Sequence, residues 1–381
     1  MKFFLRDGGL TLMIFILGAC IEPYDPPVKY ADVNRLVADG FLNATEGVAT
    51  VKLTRTLPLK SSENMPAESG AAVRIEDDKG VFYPLSETGE GVYSGTVLNT
   101  NTENLYRLVF RTNDNKEYAS DFVEIKHSPA IDSVAYSFLT DGVEFSVNTH
   151  DPTGESRHYR WKYVETYEYN SNFNSLFMFS GDEIIFRPHT LSLYTCWKTN
   201  LSTGILVSTT KHLQESVVSK FPITFIPKGS LKISAKYSLL VQQQALTDEA
   251  YDYWLNLEKN TEQLGGLFDP LPSQAPGNIH STTNPAEEVI GFFSGSTVQE
   301  ARIFLGRSQL PRSLFTSSYN PDCSLDTVFV SETGDIYKEV TLLVDAVYAP
   351  GAGIIGYTVS RTSCVDCTAL GGTTTKPAFW E

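Results

Sequence analysis

Residues 159–169 read Tyr-Arg-Trp-Lys-Tyr-Val-Glu-Thr-Tyr-Glu-Tyr. Tyr159, Trp161, Tyr163, Tyr167 and Tyr169 share one parity, and Arg160, Lys162, Val164 and Glu168 share the other. Side chains that alternate in this way lie on opposite faces of a strand, since successive residues of extended chain point to opposite sides. One face is therefore apolar and packs on a core, while the other stays wet. A central strand whose tryptophan fills the core is a feature of fibronectin-like sandwiches. Glu165 interrupts the aromatic stripe, and five large rings are more bulk than one strand face usually takes. The expectation is that Trp161 is buried and that Tyr167 and Tyr169 stay exposed as contacts for a sugar, a peptide or a protein partner.

The same period recurs on both sides of this strand. Val51 and Leu53, Val73 and Ile75, and Leu108 and Phe110 each alternate with polar neighbours, and Asp78-Lys79-Gly80, Gly89-Glu90-Gly91 and Asn113-Asp114-Asn115 mark turns between them. That spacing predicts an immunoglobulin-like β-sandwich over residues 28–126. His127-Ser128-Pro129 reads as a boundary, and strand patterns resume on both sides of Asp141-Gly142. Residues 127–306 form the second expected β-sandwich. Within it, residues 170–230 are aromatic and rich in Asn and Ser, fit a sandwich poorly, and read as an insertion of the size that usually serves function or an interface. One helix is predicted over 246–264, with Thr247 as its N-cap, Asp248 and Glu249 in its first turn, Ala250, Trp254, Leu257 and Leu264 along one stripe, and Gly265-Gly266 as its stop. Residues 307–381 read as a terminal region of strands and turns. The fold class expected is mainly β, with sandwich domains and one inserted α-helix.

The amino terminus sets the compartment. Lys2 and Arg6 precede an apolar run from Leu10 to Ala19, about half of what a bilayer-spanning helix needs, so residues 1–19 read as an export signal. Leu17-Gly18-Ala19-Cys20 resembles the bacterial lipobox, after which Cys20 becomes the acylated first residue; several acyl chains make such an anchor effectively permanent. Residues 20–35, with three prolines in a polar setting, read as a tether between membrane and folded part. The chain is 41% hydrophobic and 20% charged, a globular composition. Lys and Arg number 30 against 45 Asp and Glu, for a net charge of −15. That balance argues against nucleic acid as a partner.

Apart from Cys20, the cysteines are Cys196, Cys323, Cys364 and Cys367. In an exported chain they read first as disulfides, with three possible connectivities. The Cys364-x-x-Cys367 spacing also invites a zinc or redox reading, but no histidine lies near it in the sequence, and the surrounding Gly and Thr suit a turn better than a helix start. At least one bridge from the Cys364/Cys367 segment to Cys323 or Cys196 is expected, because a terminal segment with few core residues frays unless tied down. Gly351-Ala352-Gly353-Ile354-Ile355-Gly356 matches the dinucleotide fingerprint, yet strand-prone residues follow where a helix is needed, so it reads as a turn before a strand. The chain shows no HExxH, GxSxG, phosphate-loop or EF-hand motif. A non-catalytic protein without cofactor or metal is the expectation.

The opening CIEPYDP, then LVADGFLN, VNTHDP, YRWKYVETYEY, YTCW, FPITFIP, YSLLVQQQALTDEAYDYW, and the ending CVDCTALGGTTTKPAFW together resemble the Bacteroidota lipoprotein family catalogued as domain of unknown function 4249. The resemblance runs over nearly the whole mature chain and supplies no catalytic residues. It implies an outer-membrane lipoprotein, outward-facing, whose partner is a TonB-dependent transporter; the alternative is a structural subunit of an outer-membrane secretion or protein-biogenesis complex. In that setting Asp132-Ser133-Val134 and Asp326-Thr327-Val328 resemble Bacteroidota O-glycosylation acceptors, with Ser133 and Thr327 as the candidate sites.

Overall fold

A computed structural model describes residues 34–57, 65–97, 100–262, 277–315, 322–331 and 341–380. The first eight strands are β1 (Leu36–Asn43), β2 (Val48–Arg55), β3 (Ala72–Asp77), β4 (Phe82–Gly89), β5 (Val92–Thr96), β6 (Leu105–Arg111), β7 (Glu117–Ser120) and β8 (Val123–Lys126). There follow β9 (Ile131–Phe138), β10 (Gly142–Asp151), β11 (His158–Asn170), β12 (Phe177–Ser180), β13 (Glu183–Phe186), β14 (Thr195–Leu201), β15 (Leu206–Thr209), β16 (Ser216–Pro227) and β17 (Lys236–Leu246). Helix α1 (Asp248–Glu262) precedes β18 (Ile279–Ser281), β19 (Ile290–Ser296), β20 (Val298–Gly306), β21 (Asp326–Phe329), β22 (Thr341–Ala349) and β23 (Gly353–Arg361).

Eight strands close into a barrel in the order β6-β3-β4-β5-β2-β1-β19-β8, with β8 returning to pair with β6. Alternation sends Leu36, Ala38 and Leu42 of β1 inward and leaves Asp39 outside. Gly40 also faces inward, where an added Cβ would come within 2.9 Å of the Phe293 ring and 3.3 Å of Leu108. Glycine there lets Phe293 occupy the barrel interior, which side chains fill. The expected immunoglobulin-like sandwich over 28–126 is thus corrected to a closed barrel that takes in β19, parallel to both β1 and β8. Period-two alternation says that each strand has one wet face; it does not say whether the sheet closes, or that a distant segment supplies the closing strand.

The second unit is two facing sheets around one core. Strands β16-β10-β9 form one, and β14-β11-β17-β20, with β15 also on β11, form the other. Val143, Phe145 and Val147 of β10 meet Tyr159, Trp161, Tyr237 and Leu239 of the larger sheet. Trp161 Nε1 donates to Gln243 Oε1 at 2.9 Å, and Gln243 Nε2 donates to Pro129 O and Thr149 Oγ1 at 2.8 and 3.1 Å. This buried amide ties the Trp161 indole to the boundary segment at 127–129. Glu165, the break in the aromatic stripe, accepts from Tyr237 Oη and Asn200 Nδ2 and pairs with Lys232 Nζ at 2.6 Å. Burial beside that carboxylate pushes the Tyr237 phenol up, so it stays a donor.

Residues 170–230 are not one insertion. β14 and β15 extend the larger sheet and β16 pairs with β10 along its length, leaving only the hairpin β12–β13 outside the two sheets. Pro222, register shifts after Phe145 and Val147, and Lys220 at φ 51 break the alternation of β16, which is why it did not read as a strand. Helix α1 begins as expected: Ala250 N donates to Thr247 Oγ1 at 3.2 Å, with Asp248 and Glu249 in the first turn. Its predicted glycine stop lies outside the described residues. Ala250, Tyr253 and Trp254 bury against Leu246 of β17 and Phe292 of β19, so the helix joins the barrel to the facing sheets.

The terminal sheet β21-β23-β22 packs Leu343, Tyr357 and Val359 under Phe177, Phe179 and Ile184 of the β12–β13 hairpin. Gly351 and Gly353 adopt φ of 78° and 76° in the turn that leads into β23, as the turn reading of that glycine motif requires. Cys196 of β14 bonds Cys367, and Cys323 bonds Cys364. The two cysteines of the CxxC are held by different partners, which sets aside its redox and zinc readings.

Candidate binding grooves at the barrel junction

The residues singled out in the sequence fall in separate places. Leu17, Gly18, Ala19 and Cys20 lie outside the described residues. Tyr167 is 7% exposed and Tyr169 0%. Their expected role as surface contacts is corrected: both sit in the core with Trp161, and Tyr169 Oη donates to Cys367 O at 2.8 Å. The excess bulk of the stripe is absorbed because the carboxyl-terminal segment, pinned through Cys196 and Cys367, closes over that end of the strand. Ser133 and Thr327 stand on exposed positions of β9 and β21, and Ser133 Oγ accepts from Asn148 Nδ2 at 3.0 Å.

The concave surface lies where the barrel, the larger sheet and α1 meet. A groove of about 760 Å³ runs beside the helix. Tyr253 and Leu257, one turn apart on α1, form one side, and Ile279 of β18 and Ile290 at the start of β19 form the other. A polar cleft of about 510 Å³ continues from its Arg35 end. There Arg35 pairs with Glu288 at 2.7 Å, Arg55 with Glu68 at 2.6 Å, and Lys116 with Glu287 at 3.4 Å. Tyr118 Oη donates to the same Glu287 at 2.8 Å, and burial and that carboxylate raise its pKa. Every cation of the cleft has its own carboxylate, so the cleft is a neutral polar rim to an apolar groove.

Under α1 the arrangement differs. Arg160 is 9% exposed and its guanidinium carbon stands 3.3 Å from the centroid of the Trp254 ring. Burial lowers its pKa to about 10, with the Asp39 carboxylate acting in the opposite direction. At the helix amino end His158 Nε2 meets Asp248 Oδ1 at 2.8 Å, Asp248 Oδ2 meets Lys211 Nζ, and the His158 ring stacks on Tyr251 at 4.4 Å. His158 Nδ1 is buried without a hydrogen-bond partner among the described residues. Among the described residues no group of three or more His, Cys, Asp or Glu is placed to hold a metal ion, and no helix is long and apolar enough to cross a membrane.

Sequence reasoning missed the α1 groove because its walls come from β18, β19 and the helix, whose meeting depends on β19 joining the barrel. The only signal was the apolar helix stripe, which required some surface to dock on.

Comparison with curated proteins finds no match to this chain. One solved structure, described as "Complete structure of manganese lipoxygenase of Gaeumannomyces graminis and partial structure of zonadhesin of Komagataella pastoris", is 10% identical over 58% of this chain and 91% of that one. Its TM-score is 0.16, at which the likeness says nothing about the fold. The model of the family described as Domain of unknown function (DUF4249) matches residues 21–302, from just after Cys20 into β20 and short of the carboxyl-terminal cysteines. With most of its length covered by that match, the chain belongs to the Domain of unknown function (DUF4249) family.

Proposed function

We propose that this chain is a non-catalytic lipoprotein, anchored through acylated Cys20 in the outer membrane and outward-facing, that serves as an accessory or ligand-capture partner of a TonB-dependent transporter. The lipobox and the export signal support the anchor, and two disulfides suit an oxidising compartment. The two facing sheets around Trp161 serve in this reading as a fibronectin-like module beside the barrel. The observation that carries the proposal is the α1 groove: about 760 Å³, apolar walls from three elements, and a rim of matched ion pairs. An apolar floor with a polar rim is the anatomy of a surface that receives a partner.

A second reading, a structural subunit of a secretion or biogenesis complex, is favoured by one feature. The terminal sheet and its hairpin expose Phe186 at 58%, Phe329 at 48% and Tyr348 at 66%. Large exposed apolar side chains mark protein contacts when they cluster. Purification from the native membrane, with identification of co-purifying proteins, tests the proposal. The transporter reading predicts recovery of a TonB-dependent barrel, and the scaffold reading predicts a multi-subunit assembly without one. Cys20→Ala should partition out of the detergent phase that holds the wild type.

A further inference from the structure

Further along the outer wall of the barrel, β1 and β2 face the larger sheet across a second groove, of about 280 Å³. Asp39, Thr50 and Lys52 line the barrel side, and Lys162, Gln242 and Gln244 line the sheet side. None of these residues lines the α1 groove. In the β11–β17 register Lys162 stands opposite Gln242, and Arg160 opposite Gln244. Alternation puts all four on the face turned away from Trp161 and the core.

Two cations of this face, Arg160 and Lys162, find no acceptor among the described residues. Arg160 is nine-tenths buried and Lys162 half-buried, and neither makes a hydrogen bond or ion pair among the described residues. The Trp254 ring covers the Arg160 guanidinium carbon, but a π face accepts none of the N–H donors, which lie in the guanidinium plane and meet no acceptor among the described residues. Asp39 is near enough for its charge to favour both cations, yet it makes no ion pair with either. Other basic side chains of this unit do find partners: Lys232 has Glu165, Lys211 has Asp248, and Arg302 has Ser238 Oγ at 2.9 Å. Withdrawing a cation from water without an acceptor is unfavourable, and burial lowers the pKa of Lys162 accordingly. Two such cations, two residues apart on one face, are an arrangement that an incoming anion stabilises.

The amides beside them are available for recognition. Gln242 Nε2 donates to Glu300 Oε1 at 2.7 Å, and among the described residues neither the Gln242 side-chain carbonyl oxygen nor the Gln244 side chain makes a hydrogen bond. Thr50 adds a hydroxyl that already contacts Ser94. Asp39 and Glu46 are the acidic members of the lining and accept from hydroxyl donors.

We propose that this groove binds a small organic anion of monosaccharide size, its carboxylate against Lys162 with Arg160 behind, and its hydroxyl groups read by Gln242, Gln244 and Asp39. The volume is too small for a folded partner and suits one ring. The site is independent of transporter docking, since it shares no lining residue with the α1 groove.

The probes are D-glucuronate and its neutral counterpart D-glucose, titrated calorimetrically into the whole chain and into Lys162→Gln and Lys162→Arg. The expected result is glucuronate binding at least tenfold tighter than glucose, a tenfold or greater loss in Lys162→Gln, and retention in Lys162→Arg. The melting temperature of Lys162→Gln should equal or exceed that of the wild type, because removing an unpaired ammonium relieves its desolvation. Equal affinity for both sugars, absence of glucuronate binding, or undiminished binding by Lys162→Gln would overturn the proposal. So would a lower melting temperature for Lys162→Gln, which would make Lys162 a structural cation.

Discussion

Trp254 of α1 covers Arg160 of β11, with the guanidinium carbon 3.3 Å from the ring centroid, and this contact fixes the helix over the junction of barrel and sheets. A desolvated cation–π pair contributes about 2 kcal/mol beyond the packing of the ring. Trp254→Ala should therefore destabilise the chain by about 3–5 kcal/mol, measured by urea unfolding. A change below about 1 kcal/mol, within the range of ordinary surface substitutions, would show that the helix is held by something else.

The carboxyl-terminal segment is held by covalent bonds as well as packing. Non-reduced peptide mapping of protein from the native envelope should give Cys196–Cys367 and Cys323–Cys364. Replacing Cys196 and Cys367 together with serine should cost about 2–5 kcal/mol, since that bridge closes the longer loop of the two. Recovery of a Cys364–Cys367 bridge would contradict the assignment.

The aromatic strand yields a prediction opposite to the one its sequence suggests. Trp161→Ala should lose about 3–5 kcal/mol, and the pair Tyr167→Ala with Tyr169→Ala at least as much, because both rings are core and Tyr169 also donates to Cys367 O. Thermal melts of the two variants decide this. A double variant that melts with the wild type would restore the surface reading of those tyrosines.

His158 gives the fold a pH dependence of known sign. Burial holds its pKa below the ordinary 6.5, although the bond to Asp248 works the other way. As pH falls through 6.5 the unfolded chain takes up the proton first, so stability present above that value declines toward the lowered folded one. Asp248, lowered chiefly by its bond to Lys211, loses its contribution only below the usual carboxylate range. Urea midpoints measured from pH 8 to pH 5 should fall, and His158→Gln should flatten that slope; parallel slopes for the two chains would exclude His158 as its source.

Much of the architecture was legible where a strand kept strict alternation. Residues 159–169 announced a sheet, Trp161 its core, and Thr247 with Asp248 and Glu249 the start of a helix, because local chemistry alone decides those features. Closure of the barrel was not legible, since β19 reaches β1 across more than two hundred residues and no local pattern encodes that pairing. The burial of Tyr169 was hidden for a similar reason: what covers it is a segment tied to β14 through Cys367. The two grooves follow from these long-range pairings, so their lining residues carried no signal beyond the polar face of β11, where Arg160 and Lys162 stood in plain alternation.

The central claim is that the α1 groove receives a protein partner while the chain is held at the membrane. The most direct measurement compares the acylated wild type with the double variant Leu257→Asp, Ile290→Asp, both isolated from the native membrane and matched for melting temperature. Both side chains line the groove, and Ile290 is 36% exposed, so a carboxylate at that position reaches water. The account predicts that a TonB-dependent barrel co-purifies with the wild type and is lost from the variant, with membrane anchoring unchanged. Equal recovery of that barrel by the two chains, or its absence from both, would contradict it.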